Sequence, residues 1–211
     1  MKIEKITAFI TREKKNEELL LIQHPNAGIQ IPAGTVEEGE TVVEALKREI
    51  QEETGIESIK IKNYIGSQTT MLSNNEFLLT TKTKVYSRPI PTSFDWAELR
   101  KGVTVTSNRI QGEYTQITYK EHDRYPRPRY ITYQITGWVL TKSLSKERER
   151  HFFHVITNEE VPDEWEIFAD NHKFKLFWSS FNNLANIIDP QYQWLNYVQS
   201  VLGYKFERSS D

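Results

Sequence analysis

The chain has 211 residues, of which 27% are charged and 37% hydrophobic, and its formal net charge is −2. This length and composition indicate a globular protein with one core, and the near-neutral charge argues against general binding of nucleic acid or anionic membranes. The chain has no cysteine, which excludes disulfides, zinc–thiolate sites and thiol catalysis. It lacks a signal-peptide pattern and any stretch of membrane-spanning length, so a cytoplasmic protein is expected.

The first predicted elements are two strands, over residues 2–11 and 17–24, joined by a polar turn at residues 12–17. A glycine-bearing loop follows, and then a helix is predicted from Thr41 to Glu53. Its start carries a capping box, a threonine with a glutamate three residues later, and Gly55 stands where a left-handed cap ends a helix.

Strand-like segments continue after this helix, over residues 56–66 and 76–87. Residues 88–150 then hold four of the eight prolines and several alternating Thr/Tyr/Ile runs, which indicates a β-rich insertion within a single domain of residues 1–211. Two further strands are predicted at residues 151–157 and 173–181. A final helix is predicted to begin at Asp189 and Pro190, to end at Gly203, and to have an apolar face of Tyr192, Leu195, Val198 and Leu202.

The helix of residues 41–53 concentrates glutamates beside its apolar face. On a helical wheel Glu53 falls inside the apolar arc, Glu49 lies at its edge and Glu52 lies beyond it. Carboxylates at a core edge are costly unless positive charge pairs with them, and the single Arg48 cannot neutralise three. A divalent cation with oxygen ligands can, while a solvated acidic face is the alternative. The residues expected to face the core are Val42, Val43, Leu46 and Ile50.

Residues 34–56, GTVEEGETVVEALKREIQEETGI, resemble the Nudix box, G-x5-E-x7-R-E-U-x-E-E-x-G-U with U aliphatic. The family that this motif identifies is the Nudix hydrolase (MutT-type) family. The resemblance implies an α/β (α+β) Nudix fold, with a mixed β-sheet sandwiched between helices and, in this chain, a β-rich insertion. The residues that fill the fixed positions of the box are Gly34, Glu40, Arg48, Glu49, Ile50, Glu52, Glu53, Gly55 and Ile56.

The resemblance also implies a reaction: metal-dependent hydrolysis of a diphosphate bond in a nucleoside diphosphate linked to another moiety. The implied cofactor is Mg²⁺ or Mn²⁺, and the implied metal ligands are Glu49, Glu52, Glu53 and the carbonyl of Ala33. The implied catalytic residues are Glu53 and Glu49, with Arg48 orienting a glutamate and Glu40 in support. The general base is left open between a box glutamate and a residue of a later loop, namely Glu159, Glu160, Glu164 or Glu166.

Other interpretations remain open at this point. A catalytically idle Nudix-fold module that binds or senses a nucleotide is the alternative to an enzyme, and the sequence leaves the substrate open. The expected partner is a nucleotide-derived small molecule, with no membrane and no general nucleic-acid binding. The insertion is predicted to form a homodimer arm, with a substrate lid as the alternative. His151 and His154 are expected to point to opposite faces of a strand, so a shared metal site is not expected.

Overall fold

The computed structural model describes residues 2–12, 18–123, 130–157, 159–169 and 172–202. Three sequence predictions fall partly outside these ranges. They are the turn at residues 12–17 beyond Arg12, the part of the insertion at residues 124–129, and the helix end at Gly203.

The described residues form fifteen strands and two α-helices. The helices are α1 (Val42–Thr54) and α2 (Gln191–Leu202), and single 3-10 turns lie at Thr141–Ser143 and Phe181–Asn183. The strands are β1 (Ile3–Arg12), β2 (Glu18–His24), β3 (Gly28–Gln30), β4 (Ala33–Thr35), β5 (Ile59–Met71), β6 (Glu76–Leu79), β7 (Thr83–Tyr86), β8 (Asp95–Leu99), β9 (Thr104–Gln111), β10 (Tyr114–Asp123), β11 (Tyr130–Leu140), β12 (Leu144–Ser145), β13 (Glu147–Thr157), β14 (Glu164–Ala169) and β15 (His172–Ser180).

The first sheet carries the box and is covered by a helix on each face. Its strand order is β14-β15-β2-β1-β13-β5, with β3 beside β2 and β4 beside β1, and β1 runs parallel to β13 while the other pairs are antiparallel. Along β1, Ile6 and Ala8 are buried in one core with Leu46 of α1, whereas Phe9 is buried in a second core with Leu195 of α2. This alternation is the period-two pattern of a strand buried on both faces, and it confirms the predicted mixed sheet between helices.

Helix α1 begins and ends as its sequence predicts. Thr41 is the N-cap, its side chain accepts a hydrogen bond from the Glu44 amide, and Gly55 adopts the left-handed conformation at φ 75°. Val43 departs from the prediction, because 40% of it is exposed although the wheel assigns it to the core. The reason is its place in the first turn, next to the exposed N-cap, whereas the buried face is formed by Ala45, Leu46, Ile50 and Thr54.

A second sheet follows in the chain, with the strand order β12-β6-β9-β10-β11-β7-β8. It has its own apolar core, which includes Leu79, Val105 and Ile117. This sheet begins at Glu76, ahead of the predicted insertion, and ends at Ser145, while Glu147 already belongs to β13 of the first sheet. The division of the chain into one domain with an insertion at 88–150 stays a prediction.

Within the described ranges, neither helix combines the length and the apolar character needed to cross a membrane.

Candidate active site at the carboxylate helix

Arg48 is the centre of a hydrogen-bonded ion-pair network on α1. Its Nε and Nη2 donate to the two carboxylate oxygens of Glu40 at 2.8 and 3.0 Å, a bidentate geometry. Its Nη1 donates to Glu49 Oε1 at 2.9 Å and to Glu52 Oε2 at 3.0 Å. Its Nη2 also donates to the carbonyl of Thr35 at 3.0 Å. One guanidinium therefore sets the positions of three carboxylates relative to the loop that precedes the helix.

The short strand β4 holds two of the box glutamates through its backbone. The amide of Ala33 donates to Glu53 Oε2 at 2.9 Å, and the amide of Thr35 donates to Glu49 Oε1 at 3.2 Å. Between them, Gly34 lets the carboxylate of Glu49 lie directly against the backbone, since a Cβ at this position would be 1.8 Å from Glu49 Cδ. A residue with no side chain is therefore required at Gly34 for this approach.

Burial and neighbouring positive charge shift the pKa values of these carboxylates in opposite directions. Burial raises the pKa of Glu49, and the neighbouring Arg48 only partly opposes this rise. The hydrogen bond from Arg48 lowers the pKa of Glu40 and in turn raises the pKa of Arg48. Because Arg48 is shared among several acids, a further cation beside Glu49 would favour its ionised form.

Two cavities open beside the box carboxylates, and Glu49, Glu52 and Glu53 line both. One has a volume of about 430 Å³ and is completed by Phe168, Ala169 and Phe174. The other has a volume of about 340 Å³, and its acidic lining residues are Glu37 and the three box glutamates. Its remaining lining residues are Lys5, Ala33, Gly34, Thr35, Arg48, Arg100, Lys101, Gly102 and Val103.

Three basic residues of this second cavity are absent from the sequence predictions. Lys5 comes from β1, while Arg100 and Lys101 come from the turn between β8 and β9 of the second sheet. All three lie outside the box in the sequence, so no local spacing of residues identifies them as part of the site. Only the pairing of β1 with β4, which sets Lys5 opposite Thr35, brings one of them to the site.

The four later glutamates considered as a general base lie elsewhere. Glu159 accepts hydrogen bonds from the amides of Glu57, at 2.9 Å, and Ser58, just after α1. It also lines, with Glu160, a separate cavity of about 500 Å³. On β14, Glu164 pairs with Lys175 at 2.7 Å and Glu166 with Lys173 at 2.6 Å. None of the four lines either cavity beside the box carboxylates.

A different group of acidic and imidazole side chains lies on β1 and β13. Within the described part of the chain, candidate ligand atoms of Glu4, Glu149 and His151 lie within 4.8 Å of one another. His151 Nε2 is 3.3 Å from Glu4 Oε1, and the Tyr64 hydroxyl is 3.0 Å from His151 Nδ1. Glu149 accepts a hydrogen bond from the Lys2 ammonium, which already supplies a positive charge to this group.

The two histidines of β13 have separate partners, in agreement with the strand geometry that the sequence predicts. His154 Nε2 is 2.7 Å from Thr11 Oγ1 of β1, while His151 lies next to Glu4 and Tyr64.

The fold has a mixed sheet between two helices, and the carboxylates of its glutamate-rich helix bond to the preceding glycine-bearing strand. These are the features of the Nudix class of domain. Residues 1–101 of the chain match the family model of the NUDIX domain. This part of the chain is therefore a Nudix domain, and the resemblance carried by residues 34–56 is confirmed.

Several curated relatives match part of the chain. The "NAD-capped RNA hydrolase NudC" of Haemophilus influenzae (strain PittEE) is 42% identical over 77 residues, which cover 34% of this chain and 29% of the relative. The protein of the same name from Vibrio vulnificus (strain CMCP6) is 45% identical over 62 residues, 28% of this chain and 23% of the relative. That of Photobacterium profundum is 44% identical over 62 residues, with the same two shares. The matched segment thus spans less than a third of these relatives.

Proposed function

We propose that the chain is a metal-dependent Nudix hydrolase that cleaves a diphosphate bond in a nucleoside diphosphate linked to another moiety. The observation that carries this proposal is a single cavity that Glu49, Glu52 and Glu53 line together with the basic residues Lys5, Arg100 and Lys101. Phosphoryl-type chemistry depends mainly on positioning and on neutralising charge, and a cavity with both signs of charge is suited to both tasks.

The residues present fit a divalent cation. Glu49, Glu52, Glu53 and the carbonyl of Ala33 offer only oxygen donors, which are the ligands that Mg²⁺ and Mn²⁺ prefer. The partly buried carboxylate of Glu49, with its raised pKa and a shared arginine, supports a site that takes further positive charge. When bound, such an ion neutralises phosphate charge and lowers the pKa of a coordinated water.

The protein's own residues have distinct roles in this proposal. Arg48, held by the bidentate pair with Glu40, orients Glu49 and Glu52. The backbone of β4 orients Glu53 through the Ala33 amide. We assign the general base to a box glutamate, since the later glutamates lie outside both cavities that the box carboxylates line.

The substrate class is supported by the relatives. Their name refers to NAD-capped RNA, and NAD itself contains a nucleoside diphosphate joined to another group. The test is a product screen by liquid chromatography over NAD, NAD-capped RNA, nucleotide sugars, dinucleoside polyphosphates and nucleoside triphosphates. Each reaction is run with millimolar Mg²⁺, with Mn²⁺, and with excess EDTA.

We expect diphosphate cleavage only in the presence of the metal, because weak all-oxygen ligation needs millimolar ion. Full turnover in excess EDTA would overturn the metal mechanism. Binding of a nucleotide without turnover of any compound would instead favour a catalytically idle module.

We further propose that the second sheet is part of the same domain and that its outer surface mediates a homodimer. Lys101 contacts the loop at Val36 through a 2.6 Å hydrogen bond, which supports a single domain. Exposed apolar side chains on this sheet and just before β8, among them Phe94, Trp96 and Ile110, support burial against a second copy. Light scattering over the micromolar range tests this proposal, and a monomer throughout would contradict it.

A further inference from the structure

The turn between β8 and β9, residues Arg100–Val103, packs directly against the box. Lys101 Nζ donates to the carbonyl of Val36 at 2.6 Å, and Lys5 Nζ donates to the carbonyl of Gly102 at 3.1 Å. Gly102 lies so close to Thr35 that a Cβ would be 2.7 Å from Thr35 Oγ1, and its φ of 78° is in the left-handed region. The second sheet therefore reaches the first at the carboxylate cavity itself.

The same turn is anchored in its own sheet. The amide of Gly102 donates to the carbonyl of Leu79 at 2.8 Å, and the amide of Leu79 donates to the carbonyl of Val103 at 3.1 Å. Leu79 is fully buried in the core of the second sheet. Because hydrogen bonds hold the turn on both sides, its basic residues are presented to the cavity by a fixed piece of backbone.

Lys5 is a partly buried member of this basic group. Its ammonium donates to Thr35 Oγ1 and to the carbonyl of Gly102, both at 3.1 Å. Both acceptors are neutral, and an ammonium has three N–H donors, so one donor remains for a ligand. Burial, with Arg150 and Arg148 nearby, lowers the pKa of Lys5 to about 8. An anion placed beside it would offset this unfavourable environment and hold it in the charged form.

We propose that Lys5, Arg100 and Lys101 form a subsite for a phosphate group of the substrate, in the cavity that the box carboxylates also line. This inference rests on the proposed function for the identity of the substrate, but the subsite's ligand chemistry, a phosphate or diphosphate anion, follows from the cavity alone. Charge-assisted hydrogen bonds from lysine and arginine are the usual protein partners of phosphate oxygens. The second sheet thereby completes the substrate site rather than standing apart from it.

The first test compares steady-state kinetics of the full chain with those of Lys5→Met and Arg100→Gln. A subsite that binds phosphate equally in the ground and transition states raises KM and leaves kcat nearly unchanged. We expect KM to rise about tenfold in Lys5→Met, the effect of losing one charge-assisted hydrogen bond, and to recover in part in Lys5→Arg. Arg100 is exposed, and circular dichroism checks that Arg100→Gln stays folded.

The second test needs no turnover. Inorganic pyrophosphate is titrated calorimetrically into the protein in EDTA, and its affinity is compared among wild type, Lys5→Met and Lys84→Met. Lys84 is the matched control, an exposed lysine of the second sheet that pairs with Asp95 and does not line the cavity. We expect about tenfold weaker binding for Lys5→Met and wild-type binding for Lys84→Met.

The two tests separate failure of the subsite from failure of the proposed function. If wild type hydrolyses its substrate but Lys5→Met and Arg100→Gln keep the wild-type KM, and Lys5→Met keeps the wild-type pyrophosphate affinity, the subsite is refuted while the function stands. If no substrate is hydrolysed but pyrophosphate binding depends on Lys5, the subsite stands while the function fails. Equal loss of binding in Lys84→Met would refute the subsite, because general charge would then explain the effect.

Discussion

The Cα of Gly34 lies against the carboxylate of Glu49, and a Cβ added to Gly34 would lie 1.8 Å from Cδ and 1.9 Å from Oε1 of that residue. Real Cβ atoms do not approach other atoms this closely, so Gly34→Ala must push the Glu49 carboxylate away from the strand. The same displacement would break the hydrogen bond from the Thr35 amide. We expect the variant to stay folded and to lose most activity, measured as kcat/KM with circular dichroism as the check on folding.

Gly112→Ala is the control for this substitution. Gly112 has a φ of 58°, so alanine there carries the ordinary cost of a left-handed residue, but no atom lies within 4 Å of the added Cβ. A loss of about 1 kcal/mol in stability with unchanged kcat/KM is expected. If both variants lost activity to the same degree, displacement of Glu49 would not be the cause.

Glu53→Gln removes the charge of Glu53 but keeps its hydrogen bond to the loop, so it tests the role of the charge separately from the role in the fold. The amide oxygen of glutamine can still accept the 2.9 Å hydrogen bond from Ala33, so the loop geometry should persist. Loss of a carboxylate from the donor set should abolish turnover and raise the Mg²⁺ concentration needed for any residual rate. Thermal unfolding should show an equal or slightly higher Tm, because carboxylate crowding at the core edge is relieved.

The second acidic group of the first sheet offers a matched comparison for Glu53→Gln. Glu149→Gln removes one carboxylate from the group that Glu149 forms with Glu4 and His151. In the wild type the charge of Glu149 is already paired with the Lys2 ammonium. We expect this variant to keep the wild-type dependence of rate on Mg²⁺. If Glu149→Gln abolished the Mg²⁺ response and Glu53→Gln did not, the metal would be bound on β1 and β13 instead of at the box.

Arg48→Lys tests whether the guanidinium fork, rather than positive charge alone, organises the site. Lysine cannot reproduce the bidentate pair with Glu40 while also donating to Glu49 and Glu52. Because Arg48 is about 30% exposed, we expect a stability loss of only about 1 kcal/mol, or roughly 2–4 °C in Tm. The fall in kcat should be much larger than this loss implies, and wild-type kcat would contradict the orienting role.

The sequence predicts the box and its supporting fold because the controlling signals are local. The capping box of Thr41 and Glu44, the left-handed cap at Gly55 and the period of the apolar residues each lie within one helix. The wheel also places Glu49 and Glu53 near the buried face, and both are partly buried in the structure. The exposure of Val43 escapes this pattern, because helical periodicity carries no information about where the sheet beneath a helix ends.

The basic lining residues of the cavity could not be predicted in this way. Lys5 reaches the cavity through the pairing of β1 with β4, and Lys101 reaches it through a turn that lies 65 residues beyond its partner Val36. Such contacts depend on how two sheets meet, which neither propensity nor spacing encodes. The later glutamates show the converse, since Glu164 and Glu166 look suited to base catalysis in sequence but form ion pairs with lysines of β15.

The buried ammonium of Lys5 should make the free energy of unfolding depend on pH. Burial first, and then Arg150 and Arg148, lower its pKa from 10.5 to about 8, while Glu49 and Glu37 act in the opposite direction. Between these two pH values the unfolded chain keeps a proton that the folded protein has released. Stability therefore rises with pH across the window from about 8 to 10.5, because the unfolded state binds more protons there.

Lys5→Met removes this contribution, so the variant should be more stable than wild type at pH 7, by about 1–3 kcal/mol, and the difference should shrink as the pH approaches 10. Urea unfolding from pH 7 to 10 in EDTA measures the difference directly, without metal bound at the neighbouring carboxylates. Lys84→Met serves as the control, because the hydrogen bond with Asp95 raises the pKa of the exposed Lys84 and gives no such rise in stability. A constant difference between Lys5→Met and wild type over this range would show that Lys5 keeps an ordinary pKa in the folded protein.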